Sequence, residues 1–317
     1  PVLTMRRLIR WLLLLALPFA VLMGGVAWID PFNYFDAASP VPLETRKANL
    51  RHSGAVMPYY TLAWKMIEYR RRPVADIIIG DSRLTRFDAE LVSRITGREL
   101  YNFGVPGGNT PSLFKTFWYA DSLVELKTVY LQTGFRNWSA AQDYDIWEGP
   151  AWSTGSVIHY LTDRDVLGKA WLDARAYWGT VRPEGIAADQ WETVMRNERA
   201  VLENYTPSAR FAEELRRVAA RCNERRINLV IIDLPVHNEV HAIERELGRE
   251  EAIAEYKALM RSAGTYYDLS GPSAITADRA EYIDALHTSK DLLDGVIREI
   301  WQGPLVNGTA DIRLTKR

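Results

Sequence analysis

The sequence predicts an α/β protein whose mostly parallel, five-stranded sheet lies in a three-layer α/β/α sandwich, preceded by one membrane-spanning helix. Short apolar runs alternate along the chain with longer helical stretches, which is typical of parallel sheets covered by helices. The runs are apolar at consecutive positions, as strands buried on both faces are. The chain has 317 residues, of which 47% are hydrophobic and 25% charged, so it can bury a sizeable core.

The predicted membrane helix is the stretch from Trp11 to Ile29, which carries no charge. About 20 apolar residues suffice to cross a bilayer core. Because Arg6, Arg7 and Arg10 precede this stretch, the positive-inside rule places the amino end in the cytoplasm. A cleaved signal peptide is the alternative, but the apolar run is long for one and no clear small-residue cleavage site follows it. We therefore expect an uncleaved, single-pass anchor in the cytoplasmic (inner) membrane, with the remaining chain in the periplasm.

The strands and helices are expected in a regular order after the anchor. Residues 30–73 predict a connector and a first helix near 58–70. The strand-like runs are "DIIIG", "ELYNFGV", "TVYLQTG", "NLVIIDLPV" and "TYYDLS". The helical stretches between them are Asp88–Ile95, Pro111–Leu123, Pro207–Arg225 and Glu239–Arg261. One domain is expected over 74–302, with a largely helical insertion at about 138–206 and a tail over 303–317.

Composition excludes several classes of function. A formal net charge of −1 and a pI near 6.7 give no footprint for nucleic acid. Cys222 is the single cysteine, which excludes an internal disulfide framework and a multi-cysteine zinc site. His237 and His241 are four residues apart, as metal ligands on a helix can be, but no third ligand or HExxH motif accompanies them. We therefore predict neither a metal nor a cofactor.

Aromatic residues are numerous between residues 138 and 191. The stretches "NWSAAQDYDIWEGPAW" and "AWLDARAYWGT" fall there, in a chain with 11 Trp and 15 Tyr. Packing in a core or an interface explains most aromatic residues, whereas exposed rings can also stack on sugars. Both interpretations remain open at this point.

The stretch "DIIIGDSRLTRFD" places Ser82 directly after an apolar strand. Gly, Asp and Ser are ordinary turn residues, but the carboxyl edge of an open α/β sheet is also where such folds bind their ligands. A nucleophilic serine needs a base, and the base needs an orienting group. Among five histidines, His287 in "YIDALHTSKDLLDGVI" follows Asp284 by three residues, so one loop can supply both acid and base.

The ordered set "GDS", "NFGVPGG" and "DALH" resembles the sequence blocks of the SGNH (GDSL-type) hydrolase superfamily, which has a flavodoxin-like α/β/α fold. The resemblance covers about residues 74–302. It implies that Ser82 is the nucleophile, His287 the base and Asp284 the orienting acid. It also implies an oxyanion hole formed by the backbone N–H groups of Ser82 and Gly104. A Gly-x-Ser-x-Gly elbow, typical of the other α/β-hydrolase fold, does not occur.

The third block differs from the family pattern. That pattern is Gly-x-Asn, whereas "QTGFRNW" has one more residue between Gly134 and Asn137. We expect Asn137 to complete the oxyanion hole, with Arg136 as an alternative donor. Substrate contacts are expected at Arg83 and Arg136, and also at His237 and Asn238, which follow the fourth strand. For Arg83, however, the sequence favours a solvated arginine at the start of a helix over contact with an anionic group.

An anchored SGNH-like domain is similar in architecture to accessory proteins of alginate O-acetylation and of D-alanyl transfer to teichoic acids. Those proteins work beside a multi-pass membrane-bound O-acyltransferase. The resemblance implies a serine esterase or O-acyltransferase that acts on O-acyl groups, in the first place O-acetyl groups, of a cell-surface polysaccharide or another O-acylated glycan. The alternative is a catalytically silent subunit that binds polysaccharide or assists assembly. An intact Ser82, Asp284 and His287 favours the enzyme.

Overall fold

The computed structural model describes residues 2–52, 56–179, 190–302 and 310–311. Within these ranges the α-helices are α1 Val2–Ile29, α2 Leu43–Ala48, α3 Met57–Arg71, α4 Ala89–Thr96, α5 Thr110–Leu123, α6 Glu148–Gly155, α7 Val157–Thr162, α8 Arg164–Tyr177, α9 Gln190–Glu203, α10 Ala209–Arg225, α11 Asn238–Glu246, α12 Glu250–Ala263 and α13 Lys290–Gln302. The strands are β1 Asp76–Gly80, β2 Leu100–Gly104, β3 Thr128–Thr133, β4 Asn228–Asp233, β5 Thr265–Asp268, β6 Tyr282–Asp284, β7 His287–Thr288 and β8 Ala310–Asp311.

The described chain divides into two compact units. The anchor unit comprises residues 2–52, 56–68 and 148–179. The sheet unit comprises residues 69–147, 190–302 and 310–311. The expected insertion is thus divided, because α6, α7 and α8 belong with α1 whereas α9 belongs with the sheet. Residues 180–189 of that insertion, and most of the expected tail, lie outside the described residues.

The anchor unit contains the expected membrane helix. Met5–Ile29 is 25 residues long and has a mean hydropathy of 2.4, which is long and apolar enough for one membrane span. Most of its side chains are exposed. A small core surrounds its carboxyl end, formed by Val26 and Phe32 with α3, α7 and α8. An N-terminal helix suited to a single-pass anchor is therefore present, as the sequence predicts.

The sheet unit contains an all-parallel sheet in the order β2-β1-β3-β4-β5-β8. All five expected strands are present, and the two-residue β8 extends the edge beside β5. A separate antiparallel hairpin joins β6 and β7. The expected helix over Glu239–Arg261 is two helices, α11 and α12, because the chain turns at Gly248, whose φ is +63°. Glycine adopts such a positive φ without steric cost.

Two hydrophobic cores flank the sheet, because consecutive side chains of a strand point to opposite faces. Ile77 and Ile79 of β1 pack with residues of α5, α10 and α12, whereas Ile78 packs with residues of α4 and α13. The strand β1 lies between β2 and β3, and the chain reverses its direction along the sheet when it passes from β2 across β1 to β3. Folds with this strand order bind ligands beyond the carboxyl ends of the strands at that reversal. Ser82 lies there, directly after β1.

Candidate active site

Ser82 is positioned by the tight turn that ends β1. Asp81 caps a 3₁₀ turn over Ser82–Leu84, and its Oδ1 accepts a hydrogen bond from Arg83 N at 2.9 Å. The Asp81 N–H donates to Gln132 Oε1 on β3 at 3.0 Å. Gly80 has to be glycine, since a Cβ there would lie 2.3 Å from Gln132 Oε1. Buried contacts therefore fix the whole Gly-Asp-Ser turn.

His287 links Ser82 to Asp284. Its Nε2 lies 2.7 Å from Ser82 Oγ, and its Nδ1 lies 2.8 Å from each carboxylate oxygen of Asp284. A carboxylate only accepts hydrogen bonds, so Nδ1 carries the proton and Nε2 is left to accept from the serine hydroxyl. The structure thus brings together the three residues that the sequence indicates for a triad, in the geometry that a serine nucleophile requires.

The β6–β7 hairpin explains why one short loop supplies both acid and base. Asp284 pairs with His287 across the hairpin, and its Oδ1 also accepts from the N–H groups of Leu286 and His287. Gln190, which the sequence analysis missed, donates from Nε2 to Asp284 Oδ2 at 3.0 Å. Burial disfavours the charge, but the hydrogen bonds from His287 and from the backbone outweigh it and lower the pKa of the Asp284 carboxyl.

Gly104 does not reach the site, contrary to the sequence-based prediction. It is the last residue of β2, and its N–H donates to Asn102 Oδ1 at 2.7 Å. A Cβ at this position would lie 2.4 Å from Leu84 Cβ, so close packing explains the glycine. The cavity beside Ser82 is instead lined by Gly107 and Gly108 of the same sequence block. The signal that could have indicated them is the Pro-Gly-Gly turn after the strand.

Gly107 and Ser82 supply backbone donors at the cavity. The φ of Gly107 is +68°, a left-handed conformation that other residues rarely adopt. Among the described residues, the N–H groups of Ser82 and Gly107 have no hydrogen-bond acceptor. Free backbone N–H groups beside a nucleophile can stabilise an oxyanion.

Asn137 reaches the same place despite the extra residue in its block. A 3₁₀ turn over Phe135–Trp138 takes up that residue, and Asn137 lines the cavity. Its Oδ1 accepts from Arg83 Nη2 at 2.8 Å. Only the oxygen of an amide can accept from a guanidinium, so the orientation of the amide is fixed. In the described structure its Nδ2 has no acceptor and is therefore a third free donor.

Arg83 is buried and paired instead of solvated. Its Nε and Nη2 hold the two carboxylate oxygens of Asp81 at 3.0 and 2.7 Å. Burial disfavours the carboxylate, but Arg83 outweighs this effect and lowers the pKa of Asp81 to about 2. Arg83 lines the cavity, yet its guanidinium already binds Asp81 and Asn137.

Of the other expected substrate contacts, Arg136 lines the cavity but forms an ion pair with the buried Glu198. His237 and Asn238 are not among the residues that line it. His237 caps α11, with Nδ1 accepting from Glu239 N at 3.3 Å. Asn238 Oδ1 accepts from Thr276 Oγ1 at 2.7 Å. His237 and Asn238 are thus held by contacts at the start of α11, and His241, one turn later, lines the cavity instead.

The cavity has a volume of about 500 Å³ and lies within the sheet unit. Ser82 and His287 line it together with polar residues of α9, α11 and α12. Asp233, at the end of β4, is a buried member of this lining. Burial and the nearby Asp268 raise the pKa of its carboxyl to about 7.

This arrangement can activate a serine hydroxyl and stabilise negative charge on a carbonyl oxygen beside it. No metal or cofactor is needed for either step. Comparison with models of protein families and with curated proteins finds no match to this chain.

Proposed function

We propose that this protein is a membrane-anchored serine acyl-transfer enzyme. The observation that carries the proposal is the position of His287, within hydrogen-bond distance of both Ser82 Oγ and the buried Asp284 carboxylate. Side chains in this order make a serine nucleophilic on several unrelated folds. The three free donors at Ser82, Gly107 and Asn137 support the same chemistry, because acyl transfer develops charge on the carbonyl oxygen.

The reaction begins when Ser82 Oγ attacks the ester carbonyl carbon and His287 Nε2 accepts the serine proton. The carbonyl oxygen becomes an oxyanion, held by the N–H groups of Ser82 and Gly107 and by Asn137 Nδ2. Collapse of this intermediate breaks the ester bond, and His287 gives its proton to the leaving alkoxide. An acyl-serine remains. A second hydroxyl, of water or of a sugar, then loses its proton to His287 and attacks the acyl carbon. The bond from that carbon to Ser82 Oγ breaks, and His287 returns the proton to the serine oxygen.

The proposal includes the three-layer SGNH fold. It is supported by the strand order β2-β1-β3-β4-β5 and by the hydrophobic cores on the two faces of the sheet. It is also supported by the positions of the sequence blocks, since "GDS", "NFGVPGG" and "QTGFRNW" each lie at the carboxyl end of a parallel strand and reach one cavity. The oxyanion glycine in this proposal is Gly107 in place of Gly104.

The proposed substrates are O-acyl groups, in the first place O-acetyl groups, of a cell-surface polysaccharide. The resemblance to anchored acyl-transfer accessory proteins supports this choice, and with it a multi-pass O-acyltransferase as partner. The apolar helix Met5–Ile29 supports attachment to the membrane. The arginines Arg6, Arg7 and Arg10, in the amino-terminal turns of this helix, support an extracytoplasmic sheet unit.

The test uses the full-length protein in detergent with an aryl acetate and a serine-directed phosphonate. We expect slow release of acetate and phosphonate labelling of Ser82, both abolished by Ser82→Ala. Ser262→Ala, an exposed serine at the end of α12, is the matched control and should keep both activities. If Ser82→Ala and wild type behave alike in hydrolysis, in labelling and in acylation of the native polysaccharide, the silent-subunit alternative holds.

A further inference from the structure

The carboxyl end of α1 is covered by other helices of the anchor unit. Val26 is 3% exposed and packs with Tyr160 of α7 and with Val166 and Ala170 of α8. By contrast, Leu15 in the middle of α1 is 70% exposed. The helices α7 and α8 therefore lie beside the last turn of the membrane-spanning segment and leave the rest of that segment uncovered.

Polar contacts fix this packing. Tyr160 Oη donates to Asp30 Oδ1 at 2.9 Å and accepts from Phe32 N at 3.1 Å. Arg46 binds the carbonyl oxygen of Asp30, and Lys169 of α8 donates to the carbonyl oxygen of Arg46 at 3.0 Å. The connection between α1 and the α7–α8 pair is thus hydrogen-bonded as well as apolar, so the two move together.

The length of α1 places this junction at the membrane surface. The charge-free part of α1, from Trp11 to Ile29, is about 28 Å long at about 1.5 Å per residue, close to the thickness of about 30 Å of a bilayer hydrocarbon core. With the arginines before this stretch at one surface of the core, its carboxyl end lies at the other surface. The last turns of α1 therefore reach the headgroup region. Whatever packs on Val26 has to lie in or against that region as well.

The outer surfaces of these helices carry exposed apolar and aromatic side chains. Trp171 of α8 and Trp178, the residue that caps the carboxyl end of α8, are 66% and 63% exposed and are seven residues apart, which places them on one side of the helix. On α7, Ile158 is 69% exposed. Trp28, near the end of α1, is 61% exposed. Trp is enriched where a protein meets the membrane interface, because its ring is apolar and its N–H is polar.

We infer that α7 and α8 form a second membrane contact, in which Ile158, Trp171 and Trp178 insert into the interfacial layer of the lipid bilayer beside the end of α1. This contact gives a role to part of the aromatic cluster between residues 138 and 191, for which the sequence allows either packing or sugar stacking. Apolar side chains on a helix lying in the interface add to membrane binding in proportion to the area that they bury. The inference does not depend on the proposed enzymatic activity.

Site-directed spin labelling of the full-length protein tests this contact in vesicles of phosphatidylethanolamine and phosphatidylglycerol. Cysteine replaces Ile158, Trp171 or Trp178 in turn, all exposed positions. Leu15→Cys serves as the lipid reference, and Glu213→Cys, an exposed charged position of α10, serves as the water reference. The wild-type chain gives the labelling blank, because its one thiol, Cys222, is buried.

We expect labels at the three test positions to collide more often with oxygen than with a water-soluble nickel chelate, so that the ratio shifts from the Glu213→Cys value toward the Leu15→Cys value. Collision ratios equal to that of the water reference would overturn the inference. Spin–spin broadening between labels on two chains would also overturn it, in favour of a second copy on this surface.

A second measurement avoids substitution altogether. A phospholipid with a photoreactive group in its headgroup region is added to vesicles that contain the native chain, and cross-linked peptides are identified by mass spectrometry. We expect cross-links in peptides containing Ile158, Trp171 or Trp178 as well as in α1. Cross-links in α1 without any in residues 152–178 would contradict the contact.

Discussion

Arg83 Nη2 donates to Asn137 Oδ1 at 2.8 Å, and this one hydrogen bond joins the turn that carries the serine to the turn after β3. The same guanidinium holds both carboxylate oxygens of Asp81. The guanidinium of Arg83 is therefore already paired within the protein and is not free to bind an anionic substrate. It orients the Asn137 amide so that Nδ2 is left as a donor beside Ser82, and we propose that it acts as a positioning residue for the oxyanion hole.

Arg83→Lys should lower kcat for an aryl acetate by about 10–10²-fold and leave KM nearly unchanged. A single ammonium cannot hold Asp81 at two points and also reach Asn137. The misplaced amide is then lost as a donor to the oxyanion, which exists only in the transition state, and removal of one such donor costs about 10²–10³ in kcat. Steady-state kinetics on the full-length protein measure both constants.

The control for this prediction is a double-mutant cycle with Asn137→Ala. If Arg83 acts through Asn137, the two substitutions together should lower kcat little more than Asn137→Ala alone. Arg221→Lys, which alters an arginine–aspartate pair on α10 away from the cavity, should leave kcat unchanged. Fully additive effects of Arg83→Lys and Asn137→Ala would contradict the positioning role.

Asp284→Asn should reduce phosphonate labelling and ester hydrolysis by up to about 10⁴-fold, which is less than the loss in Ser82→Ala. An amide at position 284 neither holds the proton on His287 Nδ1 nor stabilises the imidazolium charge as the carboxylate does. The nucleophile and the oxyanion donors remain in place. Labelling rates and hydrolysis rates measure the two losses. Asp291→Asn, at an exposed aspartate of α13, is the matched control and should have no effect. An Asp284→Asn variant as active as wild type would exclude the triad.

The free energy of unfolding should fall as pH rises from about 4 to about 7, because Asp233 is protonated in the folded state over this range. Its folded pKa of about 7 lies above its unfolded value of about 3.9. Between these values the folded state binds more protons than the unfolded state, so the free energy of unfolding decreases with rising pH. This contribution is full below about pH 4 and is lost by about pH 7.

Asp233→Asn removes this titration and should flatten the dependence of unfolding free energy on pH in that window. Urea unfolding of both proteins at a series of pH values measures the difference. Each unit of pKa difference between the folded and unfolded states corresponds to about 1.4 kcal/mol. Parallel curves for wild type and Asp233→Asn between pH 4 and 7 would show that Asp233 is ionised in the folded state throughout.

The strands could be predicted from the sequence because their signals are local, and so could the closeness of Asp284 to His287. "DIIIG" is an unbroken apolar run, and Asp284 and His287 lie in one hairpin. Gly107 could not be separated from Gly104 in this way, since the choice depends on Asn102 Oδ1 accepting from the N–H of Gly104. The position of the Asn102 side chain, and not the spacing of the glycines, decides which glycine N–H group stays free.

The sequence also does not predict that the helical insertion is divided between the anchor unit and the sheet unit. Tyr160 and Val166 are apolar enough for either unit, and only their contacts with Val26 and Phe32 assign α7 and α8 to the anchor. Long-range contacts of this kind leave no periodic signal. His237 was wrongly expected in the cavity for a related reason, because its side chain accepts the first free N–H group of α11.

Lys169→Met should destabilise the anchor unit by about 3–5 kcal/mol. Lys169 and Asp173 are fully buried, with Nζ 2.5 and 2.7 Å from the carboxylate oxygens, and loss of one partner leaves a buried charge uncompensated. The double variant Lys169→Met/Asp173→Leu should recover much of the loss, since an apolar pair of similar volume can replace a buried ion pair. Thermal unfolding in detergent measures the stability of both variants, and proteolytic cleavage in α8 reports when the anchor unit unfolds. Equal stability of wild type and Lys169→Met would show that the pair contributes nothing.

A protease added to intact spheroplasts should digest the chain after Asp30 and leave the amino end protected. Arg6, Arg7 and Arg10 precede the charge-free stretch Trp11–Ile29, and cationic residues flanking a span remain on the cytoplasmic side. An epitope tag before Met5 and an antibody against the sheet unit follow the two ends separately. Lysis before digestion is the control and should expose both. Protection of the sheet unit in intact spheroplasts, with its digestion only after lysis, would reverse the orientation and place the candidate active site in the cytoplasm.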